Sequence, residues 1–299
     1  MRILIIGSQG FIGSNAVNSF VKEGHEVWGC GVSESPMINY FKVNRSCPDY
    51  NEIFKHNKFD TCINASGSSG VGFSFENPDL DFQMNVANVH ALLNAIRLFN
   101  PVCKFINLSS ASVYGDPAAL PIKEEMQLQP VSPYGYHKMI TEQLIKEFVI
   151  FFNLPAVTVR IFSAYGPGIK KQLFWDIYQK MKHCTSVELF GSGKETRDFI
   201  FIDDLLMALD LIINKSPFKG EIYNLANGHQ ITIEEAASTF IKLYNENINL
   251  GFSGQHKIGD PDCWEADISK IEALGYKKQV ELKSGLKKYL EWLTQNEKG

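Results

Sequence analysis

Residues 2–13 read Arg-Ile-Leu-Ile-Ile-Gly-Ser-Gln-Gly-Phe-Ile-Gly, a short apolar run followed by three glycines at a spacing of three. The run Arg2 to Ile6 predicts a buried strand, and the apolar residues after it recur at helical spacing up to about Glu23. A second apolar run, His25 to Cys30, predicts another strand. The stretch therefore predicts a strand–helix–strand unit with a glycine-rich first turn.

The glycines of this turn indicate dinucleotide binding. At Gly7, Gly10 and Gly13 the backbone can approach a pyrophosphate at the helix N-terminus, where free N–H groups favour an anion. Phe11 and Ile12 begin the same helix and belong to the same candidate cofactor site. A merely tight turn is the alternative, but the position between a strand and a helix is the context that the motif requires.

The end of the second strand bears on the choice between NAD and NADP. In an NAD site an acidic residue there binds the ribose, yet this position falls near Gly31, and Glu34 comes somewhat late. Ser33 and Arg45 would accommodate a 2′-phosphate, and Asn44 lies where a side chain contacts adenine. We expect NAD or NADP as the cofactor, with a slight preference for NADP.

Small residues also end the next predicted strand. Residues 61–65 read as a strand, and a loop of serine and glycine residues begins at Ser66. A loop of small residues can lie against a cofactor. Ala65 and Ser66 therefore join the candidate cofactor site.

The stretch from Ser109 to Lys138 carries the candidate chemistry. Tyr134 and Lys138 stand four residues apart on a predicted helix, so they share one face. A lysine beside a phenol favours the phenolate, and such a phenol can pass a proton to or from a substrate oxygen. A serine at the end of the preceding predicted strand is placed to hold that oxygen. The stretch predicts transfer of a proton and a hydride at a carbinol or ketone carbon.

Strands and helices alternate along most of the chain, which predicts an α/β fold with a Rossmann-type, doubly wound parallel sheet. We expect residues 1–162 to form the dinucleotide-binding domain, with about 199–225 returning to it. Residues 163–198 and 226–299 are expected to form a smaller C-terminal α/β lobe that binds the substrate. Helices are predicted for about Asp79–Phe99, Asp267–Leu274 and Lys283–Thr294.

Composition narrows the function classes. The formal net charge of -4 argues against a nucleic-acid partner, which requires a basic surface. Six cysteines without a CxxC pair predict a reducing compartment and no metal site. Because no apolar run is long enough for a bilayer span, we expect a cytoplasmic protein without a membrane partner. The apolar stretch Phe148–Phe152 favours a homodimer formed through helices over a deeply buried helix end.

Five motifs occur in the order known from one family: GxxGxxG from Gly7, SSxxVYG from Ser109, YxxxK from Tyr134, YGPG from Tyr165 and RDFIFIDD from Arg197. With these motifs the chain resembles the extended short-chain dehydrogenase/reductases, in their nucleotide-sugar epimerase/dehydratase group. The resemblance covers nearly the whole chain. It implies NAD(P)-dependent chemistry on a nucleotide-diphosphate sugar.

The resemblance also implies roles for single residues. Tyr134 would be the acid/base, and Lys138 would bind the nicotinamide ribose and lower the pKa of the tyrosine. Ser110 would hydrogen-bond the sugar oxygen. Arg197 would contact the diphosphate, although a salt bridge to a neighbouring aspartate explains this arginine equally well.

Departures from the family pattern bear on the substrate. Ala111 and Ser112 stand where 4,6-dehydratases carry Asp-Glu, so dehydration is not expected. Ser163 stands where many relatives have an asparagine that binds the diphosphate. Ser112 and Ser163 are therefore candidate substrate contacts beside Arg197.

Three functions remain open. A 4-keto-sugar reductase is preferred, because the chain is short and no acid stands near Gly31. A nucleotide-sugar 4-epimerase, which oxidises C4 and returns the hydride to the other face, would use Ser110, Tyr134 and Lys138 equally well. A dinucleotide-binding sensor or scaffold without activity is the third, and the intact set of three residues argues against it.

Overall fold

The computed structural model describes residues 1–68, 70–255 and 258–296, and its centre is a sheet of seven strands. All neighbouring strands in it run parallel. From edge to edge the strands are β3 (Tyr40–Lys42), β2 (Glu26–Gly31), β1 (Arg2–Ile6), β4 (Thr61–Asn64), β5 (Lys104–Ser110), β6 (Ala156–Ile161) and β10 (Lys219–Leu225). The predicted Rossmann-type, doubly wound sheet is confirmed.

Helices bury both faces of this sheet. Ile3 and Ile5 of β1 belong to one apolar core, and Leu4 and Ile6 belong to a second core on the other face. Strands covered on both faces need nearly continuous apolar runs, as β1 has. The first core includes residues of α1 (Phe11–Lys22) and α8 (Ile202–Lys215), and the second includes residues of α2 (Tyr50–His56), α5 (Asn88–Phe99) and α6 (Pro133–Phe152).

The helix predicted for Asp79–Phe99 is helical throughout, but one of its turns is π-helical. It consists of α4 (Pro78–Phe82), a π-helical turn (Gln83–Ala87) and then α5, and the short α3 (Val71–Glu76) precedes it. A π-helical turn holds one more residue than an α-helical turn and is frequent at functional sites. The apolar spacing stays helical on both sides of this turn, so the sequence predicts the helix but not the π-helical turn within it.

Two small sheets, a 3₁₀ turn (Ala111–Val113) and four further α-helices complete the described chain. One sheet has the order β11 (Gln230–Thr232), β9 (Thr196–Phe201), β7 (Ser163–Tyr165), and the other pairs β8 (Ser186–Leu189) with β12 (Asn249–Phe252). The helices are α7 (Gln172–Met181), α9 (Ile233–Tyr244), α10 (Ser269–Glu272) and α11 (Leu282–Gln295). The helix α10 is shorter than predicted. The domain boundaries stay predictions, although β10 lies in the large sheet and β9 in a small one.

The surface of α6 is apolar at its carboxyl end. Ile150, Phe151 and Phe152 are 57%, 73% and 43% exposed, and they belong to the stretch for which a homodimer is predicted. Within residues 1–68, 70–255 and 258–296, no helix combines the length and apolar character that crossing a membrane requires.

Candidate active site

The turn between β1 and α1 is so tight that two of its positions accept only glycine. Gly7 has a φ of 80°, and its N–H donates to the Cys30 carbonyl oxygen at 2.8 Å. A Cβ on Gly7 would lie 2.7 Å from the Ala65 carbonyl oxygen, and one on Gly13 would lie 2.2 Å from the Gly7 carbonyl oxygen. No side chain fits at these distances. The turn leaves the N-terminus of α1 without a side-chain cap, so its first N–H groups can bind an anion.

A groove begins at this turn and holds most of the predicted cofactor residues. Its lining includes Gly7, Gly10, Ser33, Asn44, Arg45, Ala65 and Ser66. Phe11, Ile12 and Gly13 lie in the first turn of α1. The uncapped helix start and the close approach at Gly7 fit the pyrophosphate of a nicotinamide dinucleotide.

The glycine at the end of β2 has a packing reason. A Cβ on Gly31 would lie 2.6 Å from the Tyr40 hydroxyl oxygen and 2.9 Å from Gln9 Oε1. The Tyr40 hydroxyl donates to the Ser33 carbonyl oxygen at 2.7 Å, which holds the ring in place. A side chain at position 31 would therefore have to displace the Tyr40 hydroxyl or the end of the Gln9 side chain. This packing accounts for a glycine without reference to the cofactor, so the glycine by itself does not indicate NADP.

The predicted catalytic residues lie together where β5 ends and α6 begins. Ser132 caps α6 by accepting a backbone N–H at 3.2 Å, and this fixes Tyr134 in the first turn. The Ser110 side chain is close enough to the Tyr134 hydroxyl to lower its pKa, and Lys138 Nζ lies 5.8 Å from the centre of the Tyr134 ring. A Cβ on Gly67, which lines the groove, would lie 3.7 Å from Lys138 Nζ. The three residues therefore adjoin the groove.

Burial dominates the ionisation of this group. It raises the pKa of Tyr134 to about 12, while the Ser110 side chain lowers this pKa and the charge of Asp81 raises it. Burial lowers the pKa of Lys138 to about 8, and the charges of Asp81 and Glu142 raise it. Lys138, to which the resemblance assigns the lowering of the tyrosine pKa, is not among the groups that shift it here. The phenol needs further positive charge in the site to ionise near neutral pH.

A buried polar network that the motifs did not predict lies beside these residues. Glu142, in the next turn of α6, accepts the Ser109 hydroxyl at 2.6 Å and pairs with Arg160 Nη2 at 2.7 Å. Arg160 also donates to the Tyr114 hydroxyl at 2.8 Å, and that hydroxyl donates to Asn224 Oδ1 at 2.7 Å. The network ties α6 to β5, β6 and β10. Its one signal in the sequence was an arginine inside an apolar strand.

On the substrate side, no ion pair joins Arg197 to Asp198 or Asp203 in the described part of the chain. The acids whose charges reach it are Asp260, Glu195 and Asp116. Arg197 is stacked over Trp264, with its Cζ 5.5 Å from the ring centre. Asp198 instead accepts backbone N–H bonds, and Asp203 pairs with Lys288 at 3.3 Å. Both acids are engaged elsewhere, which favours the diphosphate over the salt bridge as the partner of Arg197.

The two candidate serines differ in their surroundings. The Ser112 hydroxyl is buried and has no hydrogen-bond partner within the part of the chain that the structure describes. Ser163 begins β7 and is half-buried. A buried hydroxyl without a partner is costly unless a ligand or water supplies one. This favours Ser112 over Ser163 as a substrate contact.

This chain is similar to known proteins along nearly its whole length. A sequence model described as the NAD dependent epimerase/dehydratase family matches residues 3–226. A Methanocaldococcus jannaschii protein, provisionally named UDP-glucose 4-epimerase, is 28% identical over 98% of this chain and 99% of its own length. The UDP-glucuronate 4-epimerase of Thermodesulfobacterium geofontis is 27% identical over 98% of this chain and 96% of its own.

Among solved structures, UDP-glucuronic acid 4-epimerase from Bacillus cereus is similar along its whole length. Its complex with UDP-glucuronic acid and NAD has a TM-score of 0.90 to this chain at 26% sequence identity. The alignment covers 99% of this chain and 100% of that one.

Proposed function

The chain belongs to the NAD dependent epimerase/dehydratase family, and from this premise we propose that it is an NAD-dependent 4-epimerase of UDP-sugars. The observation that carries the proposal is the assembly of Ser110, Tyr134 and Lys138 beside the groove. Ala111 and Ser112 replace the acidic pair of the dehydratases, so this assembly serves hydride transfer without loss of water.

In the proposed reaction the residues of the chain move and hold the proton. Ser110 holds the oxygen on C4. Tyr134 takes the proton of this hydroxyl group during oxidation and returns it after the keto sugar has rotated to present its other face. The charge of Lys138 favours the phenolate that the first half-reaction needs. A bound nicotinamide dinucleotide supplies the hydride acceptor and, once reduced, the donor. Since hydride and proton both return to the sugar, no external reductant is consumed.

The epimerase replaces the 4-keto-sugar reductase that the sequence favoured. The relatives from Thermodesulfobacterium geofontis and Bacillus cereus are both 4-epimerases by name. One argument for the reductase, the missing acid near Gly31, is explained by the packing of Tyr40. The other, the short chain, carries little weight because the alignments cover nearly the full length of both relatives.

We propose NAD rather than NADP as the cofactor for the same reasons. The Bacillus cereus structure contains NAD, and the packing of Tyr40 removes the argument for NADP. Arg45 lines the groove and remains the residue that would contact a 2′-phosphate. A measurement of NAD⁺ and NADP⁺ affinity on Arg45→Ala separates the cases, because only NADP⁺ binding should weaken.

A UDP-sugar is the substrate class that fits the polar residues beyond the groove. Arg197 supplies the positive charge for the diphosphate, and Ser112 supplies a hydroxyl to the sugar. The Bacillus cereus relative binds UDP-glucuronic acid, which makes that compound and UDP-glucose the first substrates to test.

We also propose a homodimer formed through α6. Tyr136, Ile140 and Phe151 are 52%, 37% and 73% exposed and recur along this helix at spacings typical of one face. Light scattering after size exclusion should give a dimer for the wild type and a monomer for Phe151→Glu. Phe190→Glu, at an exposed phenylalanine far along the chain, is the control that should stay dimeric.

The test of the function starts with the cofactor. The purified protein is denatured and the released nucleotide is identified by mass. UDP-glucuronic acid and UDP-glucose are then incubated with the native protein without added cofactor, and the products are followed by proton NMR. Stoichiometric NAD⁺ and a 4-epimer are expected. If the protein retains no nucleotide and reduces a 4-keto sugar with NADPH, it is the reductase instead.

A further inference from the structure

A second buried acid lies next to the candidate catalytic helix. Asp81 of α4 is fully buried, and its Oδ2 lies 2.6 Å from Nδ1 of His137, which stands between Tyr134 and Lys138 in the sequence. The His137 side chain is 13% exposed, and the edge of its ring meets Phe82 at a centroid distance of 5.4 Å. The pair thus connects α4 to the helix that carries the proposed acid/base.

Asp81 is held less completely than a buried carboxylate usually is. Its Oδ1 is buried and has no hydrogen-bond partner among residues 1–68, 70–255 and 258–296. The amide of Asn85, one turn further along, is also without partners within those ranges. A buried polar atom without a partner opposes folding.

The charge of Asp81 acts on the two groups that the reaction uses. It raises the pKa of Lys138 and that of Tyr134. The other groups that face Lys138 are the Glu142 carboxylate on α6 and the Leu108 carbonyl oxygen of β5, which accepts from Nζ at 3.1 Å. Asp81 is therefore the charged group that reaches Lys138 from a different helix.

We propose that Asp81 is a positioning residue of this active site, whose carboxylate, fixed by His137, keeps the buried ammonium group of Lys138 charged. The proposal rests on the role given to Lys138 under the proposed function. Asp81 contacts neither the sugar nor the cofactor in this scheme, and it acts only through Lys138 and Tyr134.

The physical need for such a group follows from burial. Burial alone favours the neutral amine, and it brings the pKa of Lys138 down to about 8 even with Asp81 present. Without the Asp81 charge this pKa falls further, and Lys138 loses its charge within the physiological range. The same removal lowers the pKa of Tyr134, so both limbs of a pH–activity profile move to lower pH.

The direct test measures Lys138 itself. In protein labelled with ¹³C at the lysine ε-carbon, the Lys138 signal is identified by its loss in Lys138→Met and is followed against pH by NMR. Asp81→Asn should move the midpoint of Lys138 down by about one pH unit. Asp79→Asn, at an exposed acid of the same helix, is the matched control and should leave it in place.

Two further variants keep the test decisive. Asp81→Ser removes the same charge with a smaller side chain and should give the same shift if Asp81→Asn folds poorly. His137→Gln keeps a donor for the carboxylate and should leave the Lys138 midpoint near its wild-type value. The proposal fails if Asp81→Asn and Asp81→Ser move the midpoint no more than Asp79→Asn does. It also fails if His137→Gln moves it as far as Asp81→Asn.

Turnover gives the second readout. With the midpoint of Lys138 lowered from about 8 to about 7, the charged fraction at pH 8 falls roughly fivefold, so the alkaline limb of the kcat–pH profile of Asp81→Asn should move down by about one pH unit with KM nearly unchanged. The NMR titration needs no substrate. If no UDP-sugar is epimerised but the Lys138 midpoint shifts, the proposed function fails and the role of Asp81 stands. If epimerisation occurs without the shift, the reverse holds.

Discussion

Two buried carboxylates act on Lys138, and the structure holds them in opposite ways. Glu142 accepts hydrogen bonds through both oxygens, with Arg160 as its charged partner. Asp81 meets His137 through Oδ2, while its Oδ1 has no partner in the described part of the chain. The first acid belongs to a network that joins one helix to three strands. The second belongs to a single contact between two helices.

The difference separates a structural acid from a functional one. A buried ion pair adds little net stability even when its hydrogen bonds are complete, but removing one partner is costly because the other charge is left buried. A buried carboxylate with an unused oxygen opposes folding, and such groups persist where their charge has a use. We therefore expect changes at Glu142 and Arg160 to appear mainly in unfolding, and changes at Asp81 mainly in pH dependence.

The largest effect is expected from removing the Tyr134 hydroxyl, one of the two groups on which Asp81 is proposed to act. Tyr134→Phe should lower kcat about 10²- to 10⁴-fold, because no other group in the site is placed to move the proton. NAD⁺ affinity should stay nearly unchanged. Tyr136→Phe, at a half-exposed tyrosine of the same helix, is the control. Steady-state kinetics and NAD⁺ titration measure both quantities.

The same variant tests the comparison by a double-mutant cycle. If Asp81 acts through Tyr134 and Lys138, Asp81→Asn should change the residual rate of Tyr134→Phe less than it changes the wild-type rate. Equal fold-changes in the two backgrounds would mean that Asp81 acts independently of the phenol.

The next effect concerns the complete network. Arg160→Met leaves Glu142 buried and unpaired, and it should lower the free energy of unfolding by about 3–5 kcal/mol. Urea unfolding measures the loss. Adding Glu142→Gln to Arg160→Met should restore part of it, because the uncompensated charge is then gone. A single-variant loss below about 1 kcal/mol would remove the contrast with Asp81.

The features of this site that depend on residues close together in the sequence could be predicted from it. Gly7 and Gly13 were predictable, because a turn between strand and helix at this spacing leaves no room for side chains. Tyr134 and Lys138 were also predictable from a local cause, because residues four positions apart on a helix lie on the same face. Ordered motifs added the identity of the family.

The parts that were missed depend on contacts between distant segments. Asp81 and His137 are separated by 56 positions, and neither stands out in a motif. Gly31 was interpreted as a sign of NADP, because its close contact with the Tyr40 side chain on the neighbouring strand is not visible in the sequence. The π-helical turn at Gln83–Ala87 leaves the apolar spacing helical on both sides and so escapes a periodicity argument.

A third buried acid gives an intermediate case. Asp198 is fully buried, its hydrogen-bond partners among residues 1–68, 70–255 and 258–296 are backbone N–H groups, and burial raises its pKa from 3.8 to about 6. Because the folded state binds the proton more tightly, the stability from this group is full below about pH 4 and is lost as the pH rises through about 6. The loss should amount to about 1–3 kcal/mol. Urea unfolding of wild type and Asp198→Asn from pH 4 to 7 should show this slope in the wild type only.

The smallest expected effect is the sharpest test of the comparison, because it uses the same chemical change at both sites. Asp81→Asn and Glu142→Gln each replace a carboxylate oxygen by an amide and keep the size of the side chain. Asp81→Asn should change the free energy of unfolding by less than about 1 kcal/mol, since the amide keeps an acceptor for His137 and removes a poorly satisfied charge. Glu142→Gln leaves Arg160 buried without its counter-charge and should cost at least about 2 kcal/mol more. Equal losses in urea unfolding would show that both acids are structural, and the case for Asp81 as an electrostatic partner of Lys138 would then rest on its titration alone.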